Sequence, residues 1–161
     1  MSRSSDRAEA TKRFEKNLVA YQKIALLLMI PALLSTFWGF VPLGSAEVSA
    51  IMMLGSARLI NGYAGSSFAY GGALYSLFLL IICTLCAFYA AKGKLPFYLA
   101  GTFLYAFDLV IDIMVLAFNQ FGQGSVFSVV IHSVFVAGFL AGLLVYHNAR
   151  KYLYEEARLK K

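Results

Sequence analysis

Charge is nearly missing from most of this chain. Asp, Glu, Lys and Arg together make up 14% of its 161 residues, where a soluble domain carries about 25%. Almost all of that charge lies at the two ends or in one short connection. A surface helix of a soluble protein needs a polar face that returns with the helical period, and no long stretch here supplies one. The short alternating segments of a transmembrane β-barrel are missing too, because the long runs are apolar on every face. No internal repeat is present. There is no Gly-x-Ser-x-Gly, no His-Glu-x-x-His and no phosphate loop, so the enzyme classes that carry those motifs have no support. Basic residues interleaved with aromatics on a folded face are also absent, which argues against nucleic acid as a partner.

What remains is apolar. Hydrophobic residues make up 60% of the chain, with a mean hydropathy of +0.72. A helical crossing of the bilayer core takes about 20 such residues, and four stretches meet or approach that length: Ile24–Val41, Ser67–Ala91, Pro96–Phe118 and Ser125–His147. They use most of residues 24–147 and leave no room for a separate soluble domain. The sequence therefore predicts an all-α integral membrane four-helix bundle with short interfacial helices, set between a basic arm (1–23) and a basic tail (148–161). Pro31 predicts a kink in the first crossing, since proline removes a backbone donor and clashes with the preceding turn. Gly44-Ser45-Ala46 resembles a signal-peptide cleavage site. The apolar run before it is longer than such a signal uses, so a retained helix is expected.

Thirteen of the fourteen basic residues fall in the arm, in the Lys92-Gly93-Lys94 connection or in the tail. Four crossings put all of these on one side and leave only Arg58 on the other. Lysine and arginine mark the cytoplasmic side, so both termini are expected there, in contact with anionic lipids. In the arm, Phe14, Leu18 and Tyr21 recur at helical spacing, which predicts an interfacial helix. Val48, Ile51, Met52, Gly55 and Leu59 share one helical face, so Ala46–Ile60 reads as a short helix on the outer surface, with a re-entrant segment as the sharper alternative. Asn61 to Gly65 then reads as a turn. The short connections Lys92–Lys94 and Asn119–Gly124 make the second, third and fourth crossings antiparallel neighbours. Trp38 and many of the tyrosines fall near predicted ends of crossings, as an interfacial aromatic belt does.

Three ionisable residues lie inside the apolar stretches. Asp108 and Asp112 are four apart on the third crossing, hence on one face and about 6 Å apart along it. Tyr105 shares that face. His132 lies in the fourth crossing, and a hairpin turning about Gly122 puts it level with Asp112, with Asp108 one turn deeper near mid-bilayer. An aspartate at the centre of a membrane helix costs roughly 2.5–3.5 kcal/mol and usually marks a functional path. Burial and mutual repulsion favour a protonated form for at least one of the pair. An Asp/Asp/His set of this kind can relay a proton, hold a cation or ligate a metal, and no cofactor motif accompanies it. The plainer reading is hydrogen-bonded glue between helices. His147, at the end of the fourth crossing, reads as interfacial.

Cys83-Thr-Leu-Cys86 has the spacing of a thiol–disulfide pair. It lies about 25 Å along the second crossing from its outer end, far from any outer partner, so small packing residues are the better reading. Gly138 and Gly142, beside Ala137 and Ala141, form a Gly-x-x-x-Gly face for close helix packing, within the chain or with another copy. Gly71 and Gly72 offer the second crossing a similar face.

The run Gly101-Thr-Phe-Leu-Tyr105-Ala-Phe-Asp108, followed by His132-Ser-Val-Phe, resembles a group of small uncharacterised bacterial four-helix membrane proteins. That group has a Gly-x-x-Leu-Tyr-x-x-Asp pattern in the third helix and a histidine in the fourth. The resemblance covers about the last third of the chain and implies a four-helix fold in a bacterial inner membrane; Asp112 is an addition to the pattern. The function expected is proton or cation handling through Asp108, Asp112, His132 and Tyr105, in an oligomer. The alternatives are an accessory or assembly subunit of a larger membrane complex and, more remotely, an intramembrane enzyme using a metal or the thiols.

Overall fold

A computed structural model of the chain describes residues 3–41, 52–64, 70–118 and 125–159. Among the described residues there are six helices and no strand: α1 Arg3–Leu27, α2 Ile30–Phe40, α3 Gly55–Ala64, α4 Gly71–Ala91, α5 Leu95–Ala117 and α6 Val126–Leu159. Four stretches are long and apolar enough to cross a bilayer: Thr11–Phe40 (α1 and α2 together), Gly71–Ala91, Leu95–Ala117 and Val126–Lys151.

The distribution of side chains fits a lipid solvent. Phe103, Phe107, Phe127, Val134 and Leu144 are all more than half exposed, whereas Arg58, Asp108, Asp112, Ser35, Ser76 and Ser128 are buried. An outer surface this apolar on a soluble monomer would be an aggregation hazard; in a bilayer it is the stable arrangement. Inside, small residues let the helices approach. Ala25, Ala32, Ala57, Ala73, Ala87 and Ala90 are buried around Tyr21, Tyr98, Leu28 and Leu54.

The arm is helical and runs without interruption into the start of the first crossing, as α1. α1 packs along α6, with Phe14 and Leu18 half-buried and Tyr21 fully so. Tyr21 meets Tyr98 of α5 and Tyr146 of α6 at ring-centroid distances of 5.3 and 4.9 Å. α6 likewise continues as helix beyond His147, through Leu159.

At Pro31 the chain breaks between α1 and α2. Proline leaves the Leu27 carbonyl without its usual donor. One residue on, the Tyr105 hydroxyl enters the ladder, donating to the Leu28 carbonyl and accepting the Ala32 N–H at 3.2 Å. A polar group inserted into the backbone ladder is a recognised cause of a sharp kink.

The α4–α5 turn closes as its sequence predicts. Gly93 adopts a φ of 81°, the left-handed geometry that glycine takes at a helix C-terminus. Gly93 and Lys94 donate back to the Ala90 and Tyr89 carbonyls. Lys92 and Lys94 lie over the rings of Phe88 and Tyr89. α4 and α6 both pack against α5.

The outer connection differs from the expected surface helix. Residues 42–51 and 65–69 lie outside the described residues, but Met53 to Arg58 are all buried, and α3 packs against α4 and α5. Helix continues through Asn61 to Ala64 in place of the expected turn. Asn61 instead caps the next crossing, its Oδ1 accepting the Gly72 N–H at 2.7 Å. Burying these residues inside the bundle is the re-entrant alternative. Its physical cause is the pair of carboxylates described next.

Candidate functional site: a charged cluster between α3, α5 and α6

Tyr98, Gly101, Thr102, Tyr105, Asp108, Asp112 and Val115 are the buried residues of α5. Their spacing of three and four makes a single stripe, and its polar members reach the other helices in turn. Tyr98 donates to the Phe139 carbonyl of α6 at 2.7 Å. Tyr105 holds the α1–α2 break, with the Cys83 thiol of α4 as a neighbour.

Asp108 holds the N-terminus of α3. Its Oδ2 accepts the Gly55 N–H at 3.1 Å, and its Oδ1 accepts the Ser56 N–H and hydroxyl at 3.0 and 2.5 Å. The first amides of a helix have no partner within it, and water is not available to a buried end. A carboxylate supplied from another helix satisfies two of them and meets the positive end of the helix dipole. The preceding amide, of Leu54, donates to the Ser35 hydroxyl at 3.0 Å, and Ser35 is 2.6 Å from Ser76. Gly55 passes so close to α5 that a Cβ there would lie 2.8 Å from the Asp112 backbone.

Once α3 starts at Gly55, Arg58 falls one turn later, against Asp112. The two side chains form an ion pair and are 3% and 1% exposed. Arg58 also donates to the Ser128 hydroxyl at 3.1 Å, and Ser128 donates to Asp112 Oδ2 at 2.8 Å. His132 Nδ1 lies 3.1 Å from the same Oδ2. An ionised carboxylate only accepts, so with Asp112 ionised the Nδ1 carries the proton in this hydrogen bond. The result is a closed ring of Arg58, Ser128 and Asp112 with His132 joined to it, spanning α3, α5 and α6.

Asp112 and His132 therefore meet, as the hairpin register places them. Asp112 is about 8 Å from the C-terminal end of α5 and Asp108 about 14 Å. The two aspartates turn to different partners. Each carboxylate has its own positive neighbour, the α3 amides for Asp108 and Arg58 for Asp112. Among the described residues no three His, Cys, Asp or Glu side chains gather as a metal site, and the Arg58 guanidinium pairs with Asp112.

Sequence reasoning missed Arg58, Ser128, Gly55 and Ser56 as members of this site. Arg58 carried a signal, being the lone basic residue on a side otherwise without any, opposite two intramembrane acids. Cys83 and Cys86 are both free and buried. The two glycines of the Gly-x-x-x-Gly face part company. A Cβ at Gly142 would collide with the Tyr98 hydroxyl and approach Ile24 to 2.8 Å, whereas one at Gly138 would meet nothing within 4 Å.

Comparison with protein-family models, with curated proteins and with solved structures finds no match.

Proposed function

We propose that this chain is a small polytopic membrane protein that handles protons or a cation through the Asp112–His132–Arg58 cluster. Both termini lie on the cytoplasmic side, an orientation supported by the loop charges, and the membrane is a bacterial inner membrane, a placement supported by the loop charges with the family resemblance. The observation that carries the proposal is a charge imbalance. Two buried carboxylates face one guanidinium, and a histidine stands in contact with the carboxylate that the guanidinium pairs.

With a neutral imidazole the cluster has a formal charge of −1. The dipole of α3 offsets about half a charge at Asp108, and the remainder is unfavourable in a medium of low dielectric. One proton on His132, or one cation drawn to the same place, closes the balance. Arg58 does not give up its proton, so it acts as a fixed counter-charge. Asp112 and His132 are the exchanging groups. Asp108, with Tyr105 one turn below, positions α3 and the α1–α2 break around them.

The test is flux in proteoliposomes under an imposed proton gradient and, separately, a sodium or potassium gradient. The wild-type chain should dissipate one of them. Asp112→Asn and His132→Ala, purified with unchanged helix content, should not. Absence of flux from the wild type under every gradient would remove the proposal.

A second reading, an accessory subunit of a larger membrane complex, is favoured by the three donors on Asp108, which make it a structural cap. It predicts a stable hetero-complex on gentle extraction. It also predicts that Asp112→Asn changes assembly and leaves flux unaltered.

A further inference from the structure

At the opposite end of the bundle from the charged cluster, α1 presents a face of a different kind. Lys12, Glu15, Lys16, Val19, Ala20 and Lys23 line a shallow groove of about 450 Å³. At 100° per residue, Lys12, Lys16, Val19, Lys23, Leu26 and Leu27 all fall within one side of the helix. The lysines and Val19 are exposed, and Leu26 and Leu27 are 48% and 44% exposed. The Tyr21 ring meets that of Tyr98, three residues past the start of α5, at a tilt. The lysine face therefore sits at the end of the bundle that carries the Lys92-Gly93-Lys94 turn, at the depth where α5 begins. Charge gives way to apolar surface along one line, with three lysines above and leucines below.

We propose that this face is a binding site for an anionic phospholipid. Lys16 and Lys23 are about 10 Å apart along the axis, and their flexible ammonium arms converge on the phosphate between them. Lys12, one turn further out, meets the distal headgroup. The acyl chains follow Leu26 and Leu27 into the membrane. Glu15 lies on the rim as the one opposing charge. The site stands independently of the proton or cation reading.

Native mass spectrometry of the full chain in mild detergent tests it, with phosphatidylglycerol and phosphatidylcholine titrated in turn. The wild type should retain phosphatidylglycerol selectively. The triple variant Lys12→Gln, Lys16→Gln, Lys23→Gln should bind it on the order of a hundred-fold more weakly, and Glu15→Gln should bind it more tightly. Arg13 provides the control: it points off this face and pairs with Glu9, so Arg13→Gln removes a charge from the same arm without touching the groove. It should weaken binding less than Lys16→Gln does. Equal retention of the two lipids, undiminished binding by the triple variant, or equal effects of Arg13→Gln and Lys16→Gln would each overturn the site.

Discussion

The Arg58–Asp112 pair can be separated from the rest of the fold by a double-mutant cycle, and the two single variants should behave unequally. Asp112→Asn replaces the carboxylate paired with the buried Arg58 by a neutral amide oxygen beside the Ser128 hydroxyl, and Arg58 has no way to shed its charge. Breaking a buried pair by removing one partner costs about 3–5 kcal/mol, and this variant should fall within that range. Arg58→Met leaves a carboxylate that still accepts from Ser128 and His132. Uptake of a proton by His132 replaces the lost positive charge, so this variant should lose less, about 2 kcal/mol for the missing charged hydrogen bonds. Its loss should shrink as pH is lowered, because acid supplies the proton that stands in for Arg58. The double variant Arg58→Met, Asp112→Leu removes both charges and fills the space, a replacement that is often neutral. It should lie within about 1 kcal/mol of the wild type. Unfolding by sodium dodecyl sulfate in mixed micelles, followed by helical circular dichroism, gives all four values. Additive losses, or Arg58→Met proving worse than Asp112→Asn, would refute the reasoning.

Tyr105→Phe removes the hydroxyl between the Leu28 carbonyl and the Ala32 amide and should cost about 1–2 kcal/mol for two bonds of the size measured within membranes. The same micelle unfolding checks it. Asp108→Asn keeps an acceptor at the α3 N-terminus and should lose under about 1 kcal/mol, while Asp108→Ala strands the amides of Gly55 and Ser56 and should lose about 2–3 kcal/mol. Accelerated hydrogen exchange of those two amides should accompany Asp108→Ala alone. Gly142→Ala should cost about 1–3 kcal/mol by overpacking against Tyr98 and Ile24. Gly138→Ala should be neutral or stabilising by up to about 1 kcal/mol from helix propensity, and thermal melts of the pair give the contrast.

The legible part of this fold was what apolar length and periodicity control. The crossings of α4, α5 and α6 follow from runs too long and too uniformly apolar to be anything else, and the Lys92-Gly93-Lys94 turn follows from a glycine able to adopt positive φ. The stripe carrying Tyr105, Asp108 and Asp112 follows from spacing alone. α3 was not legible because its position is decided by contacts distant in sequence. Its own residues have the amphipathic spacing of a surface helix, and only the Asp108 and Asp112 side chains make burial of its N-terminus and of Arg58 tolerable. The end of α3 was misread because Asn61-Gly62 is a local turn signal overridden by the distant Gly72 amide. The division of labour between the two aspartates was hidden for the same reason. Identical residues four apart acquired different partners from a segment some fifty positions earlier.

Charge in this cluster calls for an explanation that packing does not give. Elsewhere the bundle is joined by neutral groups: the Ser35–Ser76 contact, the Tyr98 hydroxyl on the Phe139 carbonyl, and the Tyr105 hydroxyl at the α1–α2 break. Each joins two helices without placing an ion in the membrane. Arg58, Asp108 and Asp112 each carry an insertion cost of roughly 2.5–3.5 kcal/mol on the same scale, and a serine or asparagine network could join α3, α5 and α6 for less. Asp108 has a structural use that accounts for it, since a helix end buried away from water needs strong acceptors. Arg58 and Asp112 have none that a neutral pair would lack, and His132 is placed 3.1 Å from Asp112. That surplus is why the double variant matters beyond stability. If Arg58→Met, Asp112→Leu is as stable as the wild type and carries no flux, the charges serve the moving proton or cation. If it is stable and flux persists, the ions pass elsewhere and the cluster is assembly chemistry.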